Sequence, residues 1–152
     1  MNWEEREQER YVDKSAWPAG PWRDEPDRVE WRYRALPCLS VRSTVTGALC
    51  GYVGLPPGHP ARRRAEEESL SAHGGLTYSA PCDEGGKICH APLPGEPADA
   101  HWVGFDCGHA GDFMPRMPVH FDGDAYRDLA YVRAEVESLA DQVRALEEKD
   151  DG

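Results

Sequence analysis

Two short glycine-rich segments carry the side chains best suited to chemistry. They are His73-Gly74-Gly75-Leu76-Thr77-Tyr78-Ser79 and Gly104-Phe105-Asp106-Cys107-Gly108-His109-Ala110-Gly111-Asp112. Glycine lets a backbone take positive φ and approach a ligand closely, so a binding site is expected at His73, Gly74, Gly75, Thr77, Tyr78, Asp106, Cys107, His109 and Asp112. Three chemistries suit these residue types. In the first, a phosphorylated or nucleotide-like ligand meets the amides of Gly74, Gly75 and Gly108. His73 and His109 then donate to it, Thr77 and Ser79 add hydroxyls, and Tyr52, Tyr78 or Trp102 stacks on a base. The segments match neither a P-loop nor a dinucleotide fingerprint. In the second, His73, Cys107 and His109 hold a catalytic zinc, with His59 and Asp112 as further acceptable ligands. No tight Cys-x-x-Cys or His-x-x-x-His spacing supports that, and no cofactor is the favoured expectation. A structural zinc at Cys82, Cys89 and His90 is a separate, weaker option. In the third, Cys107 is a nucleophile with His109 or His73 as base; the competing reading is a small buried core residue.

The elements that must position these residues are legible in outline. Trp31, Tyr33, Leu39 and Val41 alternate with Arg32, Arg34, Ser40 and Arg42, the period of half-buried strands. Thr46-Gly47 predicts a hairpin into a strand over 48–53, which Leu55-Pro56-Pro57-Gly58-His59-Pro60 ends. The run from Arg62 to Glu68 suits one or two exposed helical turns. Residues 70–79 read as a strand broken by Gly74-Gly75, 81–100 as a surface loop and 101–107 as a central strand. Leu129, Val132, Val136, Leu139, Val143 and Leu146 recur at spacings of 3 and 4, an apolar seam on one face of a helix over about 124–148. Asp122 or Asp124 would cap it, with Asp128 in the first turn. That seam either packs on its own sheet or joins two chains as a homodimer. The expected fold is α+β: a small, mainly antiparallel sheet packed against one long C-terminal amphipathic helix, rich in loops. It forms a single domain over 30–152, preceded by an arm over 1–29 whose Trp3, Trp17 and Trp22 dock on the body or on a partner.

Charge narrows the function classes. The chain of 152 residues carries a net charge of −11, concentrated at its ends. Residues 1–30 hold nine acids against five bases, and 124–152 nine against four, while 31–123 are near neutral at ten against eight. This argues against general nucleic-acid binding through phosphate neutralisation. No apolar run is long enough to cross a membrane, and the charged N-terminus lacks a secretory apolar region. A cytoplasmic protein is expected, with its five cysteines read as free thiols, mostly buried.

The chain resembles a family of small proteins from phages of actinobacteria and related prophages. The resemblance rests on Cys50-Gly51-Tyr52-Val53 through Gly58-His59-Pro60, on His73 to Ser79, and on Trp102 to Asp112. It continues through Tyr126-Arg127-Asp128-Leu129, Tyr131-Val132, Glu135 and Leu139-Ala140-Asp141-Gln142, so that it spans 36–146. Gly108 stands where the family usually carries Ala, a change that only loosens the loop. The resemblance implies a context rather than a chemistry: an accessory phage product acting inside a bacterium. Such proteins often sequester or destroy a nucleotide-like immune signal of the host, which is an associational expectation. The leading expectation is therefore a non-catalytic, host-defence antagonist that binds a host-derived ligand. The alternatives are a small hydrolase of a phosphodiester-type signal, metal-dependent in one form, and a protein-interaction module using the Trp-rich arm and the acidic helix.

Overall fold

The computed structural model describes residues 8–62, 69–83 and 87–151. Six strands form one antiparallel sheet: β1 (Gln8–Glu9), β2 (Arg28–Tyr33), β3 (Leu36–Arg42), β4 (Leu49–Leu55), β5 (Tyr78–Pro81) and β6 (His101–Asp106). Their order across the sheet is β1-β2-β3-β4-β6-β5, so β6 inserts between β4 and the strand that precedes it in the chain. Among the described residues one α-helix, α1 (Leu129–Asp151), is present, and it packs on one face of the sheet. The α+β architecture is that expected from the sequence.

Alternation along the strands divides the residues between two faces. Val29 and Trp31 of β2, Leu36 and Cys38 of β3, Leu49 and Val53 of β4, and Val103 and Phe105 of β6 face the helix. There Val132, Val136, Leu139 and Val143 are fully buried against them, and Leu129 and Leu146 pack at the ends of the seam. Each buried aliphatic side chain contributes about 1.5–3 kcal/mol. The seam is thus consumed inside one chain, and a dimer formed through these same side chains would have to unpack that core. Gly51 makes the close approach possible, because a Cβ there would strike Val136 and the Phe105 ring.

α1 starts at Leu129, later than the expected 124. Asp124 is occupied accepting the Phe121 N–H in a turn (3.1 Å), and Ala125 bridges to Asp112. Asp128 is the cap, its Oδ1 accepting the Tyr131 N–H at 2.8 Å. Glu25 reaches across to accept the Leu129 N–H at 2.7 Å. A residue of the N-terminal arm therefore completes the helix end.

From Gln8 onward that arm is part of the body. β1 extends the sheet beside β2, and Asp27 and Arg42 form a fully buried pair at 2.7 Å. Lys14 Nζ and the Tyr11 and Val12 amides also bind Asp27. Trp17 and Trp22 are buried, with Trp22 stacked on Phe113 and edge-on to Tyr126. They are thus docked on their own chain; Trp3 lies outside the described residues, as does most of the expected helical turn over 62–68.

The second face carries a strap formed by the chain between β5 and β6. Leu39, Val41, Tyr52, Ala100 and Trp102 build a small core there, with Ile88 and Cys82 packed on it. Arg28 and Arg32 clamp the strap: Arg28 donates to the carbonyls of Lys87 and Cys89, and Arg32 makes a two-pronged pair with Glu96 at 2.7 and 2.9 Å. Cys82 and Cys89 form a disulfide, which corrects the expectation of five free thiols. The Asp83 N–H to Ile88 carbonyl bond folds the strap back and brings the two Cα atoms to 4.9 Å, within bridging reach. The bridge also takes both sulfurs from the suggested Cys82, Cys89 and His90 zinc.

Candidate functional site

Where β6 runs out, the two glycine-rich segments meet the start of α1. Asp112 is the centre. One oxygen lies 2.9 Å from Arg127 Nε, the carboxylate accepts from His73 Nε2 at 2.9–3.0 Å, and the His109 amide donates to it at 3.0 Å. Burial pushes the Asp112 carboxyl up, but the bonds from His73, Arg127 and the His109 amide outweigh it and hold it below its ordinary value. An ionised carboxylate only accepts, so the His73 proton facing it sits on Nε2. His73 Nδ1 meets the Tyr131 hydroxyl at 2.7 Å. The result is a continuous chain, Arg127–Asp112–His73–Tyr131, with the Arg127 guanidinium 5.0 Å above the Tyr131 ring.

His109 stands beside it, its ring centroid 5.9 Å from that of His73. Its Nε2 is 3.1 Å from Asp106 Oδ1, close enough for an ion pair but too poorly aligned for a hydrogen bond. Gly74 has φ 69° and sits directly under the His109 ring, so a Cβ there would be both strained and blocked.

The structure thus brings His73, Gly74, Asp106, His109 and Asp112 together. It separates the others by role. The Gly75 amide bonds the Ala72 carbonyl and the Gly108 amide bonds Asp106, so neither is open to an anion. The Thr77 amide donates to the Gly104 carbonyl, and the Tyr78 ring lies on the strap-covered face against Tyr52 at 5.3 Å. Cys107 is buried in the helix-side core, and burial together with Asp112 pushes its thiol well above the ordinary range. That environment suits a core residue and not an attacking thiolate. Among the described residues no group of three His, Cys, Asp or Glu side chains is placed to hold a metal ion. His59 has a structural task, with Nε2 donating to the Val143 carbonyl and Nδ1 accepting the Ala61 N–H.

Arg127 and Tyr131 were missed by reasoning on the two motifs. The available signal was a weak one: both lie in the first two turns of the helix predicted over about 124–148, in stretches that carry the family resemblance. A second feature was also missed. A groove of about 430 Å³ opens at the same end of the sheet, where Cys50 of β4 pairs in register with Asp106 of β6. Tyr11, Val41, Tyr52, Cys50, Ser43, Thr44, Arg42 and Lys87 line it. Lys87 Nζ lies 4.4 Å from the Tyr11 ring centroid, and its partner Glu9 is 3.4 Å away, both half-exposed. Burial pushes the Tyr11 phenol up to about 12 and the Cys50 thiol up to about 11, so both are neutral at physiological pH.

Fold and groove together define an antiparallel sheet-and-helix protein with an open polar-aromatic recess. No protein-family model, curated protein or solved structure matches the chain.

Proposed function

We propose that the protein binds and sequesters a host-derived, nucleotide-like anion, acting as an accessory phage factor. The observation that carries this reading is the groove between Tyr11 and Tyr52 with Lys87 at its mouth. Its volume falls in the range of small-molecule sites. The partly exposed Tyr11 ring offers a face for a base, and a half-exposed ammonium whose carboxylate partner is displaceable offers a contact for phosphate. The buried Asp27 and Arg42 network behind it holds the walls in place. Equilibrium dialysis with cyclic dinucleotides and linear nucleotides tests the proposal. Lys87→Glu, which changes an exposed side chain, should weaken binding at least tenfold, since a phosphate contact is replaced by repulsion. Heat denaturation should return the bound nucleotide intact. If none of the nucleotides binds, or if Lys87→Glu binds them equally, the reading falls.

One observation favours a second reading, a phosphodiester hydrolase. Tyr131, His73 and Asp112 have the order of nucleophile, base and orienting acid at hydrogen-bond distances. In that chemistry Tyr131 Oη attacks phosphorus, its proton passes to His73 Nδ1, the alcohol leaves, and water then cleaves the phosphotyrosine. Burial and Glu135 hold the Tyr131 phenol above its ordinary value, which disfavours its anion and places this reading second. Recovery of a cleaved nucleotide, abolished by Tyr131→Phe, would reverse the order.

A further inference from the structure

Among the described residues, three large hydrophobic side chains are strongly exposed, Val45 at 72 %, Phe121 at 71 % and Val119 at 63 %, and Met117 is partly so at 37 %. All four belong to two segments, the β3–β4 turn and the loop over 113–121, and those segments are bonded to each other. The Arg116 amide donates to the Thr46 carbonyl at 3.0 Å, and the Arg116 guanidinium donates to the Thr44 carbonyl. We propose that this apolar end is a docking surface for a partner protein presenting an amphipathic helix whose apolar face is edged by Lys or Arg.

The side chains are not exposed for want of order. His120 stacks on Phe113 at 4.1 Å and its Nε2 meets the Met114 carbonyl at 3.0 Å. Phe113 in turn stacks on the buried Trp22, and the Met117 amide bonds the Met114 carbonyl. The loop is thus anchored from beneath while Val119 and Phe121 point to water. Exposed apolar side chains gathered at one end of a monomer mark an interaction site more often than chance, and a pre-ordered loop loses little entropy on binding.

Charge selects the occupant. Phe121 is followed by Asp122 and by Asp124, whose carboxylate caps the Phe121 amide, while the loop's Arg116 guanidinium is engaged by the Thr44 carbonyl. A second copy would bring the same acids and the same net charge against the patch, so self-association is disfavoured. A basic edge is complementary and would speed encounter. The test uses the full chain and two synthetic amphipathic helices with an identical Leu face, one edged by Lys and the other by Glu. The expected result is binding of the Lys-edged helix only, weakened at least tenfold by Val119→Ser with Phe121→Ser, with an unchanged thermal melt. These two residues make no packing contacts in the core, so the variant keeps its charge and its fold. If the double variant binds the Lys-edged helix as well as wild type does, the contact is charge alone and the proposal is overturned. Binding of neither helix overturns it too, as does sedimentation of the wild type as a dimer that the double variant breaks.

Discussion

Asp112 is nearly sealed from water, yet it holds a charge because three groups donate to its carboxylate. It receives the Arg127 guanidinium, the His73 ring and the His109 amide, and its own amide closes a turn on the His109 carbonyl. Removing the charge leaves His73 Nε2–H and Arg127 facing a weaker acceptor with donors of its own. Asp112→Asn should therefore cost about 2–4 kcal/mol in urea unfolding at pH 7. Asp106→Asn, at a half-exposed site whose one backbone bond survives, should cost less than about 1 kcal/mol. Equal effects would show that Asp112 is not the centre. His73 and Asp112 were legible in the sequence because each adjoins a glycine, Gly74 and Gly111. Arg127 and Tyr131 were not, since what joins them to the cluster is the docking of α1, which periodicity predicts only as a face and not as a register.

At the scale of elements, legibility followed the period of the pattern. The six-residue seam announced α1 because burial on one face leaves that trace in a sequence, and alternation announced β2 and β3 as strands, although β3 is buried on both faces with Ser40 and Arg42 sealed like their apolar neighbours. The turn between them left none. Arg34 and Ala35 both have positive φ (50° and 61°), the two-residue hairpin geometry that normally calls for Asn-Gly. The helix stabilises this unusual pair from outside: Arg144 donates twice to the Arg34 carbonyl, at 2.7 and 3.0 Å, and Asp141 pairs with the Arg34 guanidinium. Left-handed geometry costs a non-glycine residue about 1–2 kcal/mol, of which glycine's greater unfolded-state freedom returns part. Ala35→Gly should thus stabilise the protein by about 0.5–1 kcal/mol, seen as a higher urea midpoint. A lower midpoint would mean that the Ala35 methyl packs against α1 more firmly than its strain costs. The disulfide was illegible for a related reason. Five cysteines without a rhythm give no pairing, and only the fold of the strap over the sheet brings Cys82 and Cys89 together.

Across the whole molecule, buried carboxylates connect elements that the hydrophobic core alone would leave loose. Asp27 joins the N-terminal arm to β3 through Arg42 and Lys14, Glu96 ties the strap to β2 through Arg32, and Asp112 ties the β6 end to α1. For each, burial pushes the carboxyl up, while bonds to cations and amides outweigh it and leave the value below ordinary. The unfolded chain then binds protons more readily than the folded one. The stabilisation is complete above the ordinary values of 3.8 and 4.5 and disappears as pH falls through the lower folded values. Net charge acts in the opposite sense at first. Lowering the pH from 7 towards the pI of about 4.9 relieves the repulsion of −11 charges and should hold or raise stability at low salt. The expected profile of urea midpoints is therefore level or rising from pH 7 to 5 and steeply falling from 5 to 3. Added salt should flatten the first limb, where exposed charges dominate, and leave most of the second, where the groups are buried. A midpoint that stayed constant between pH 5 and 3 would show that the three carboxylates do not hold the arm, the strap and α1 in place.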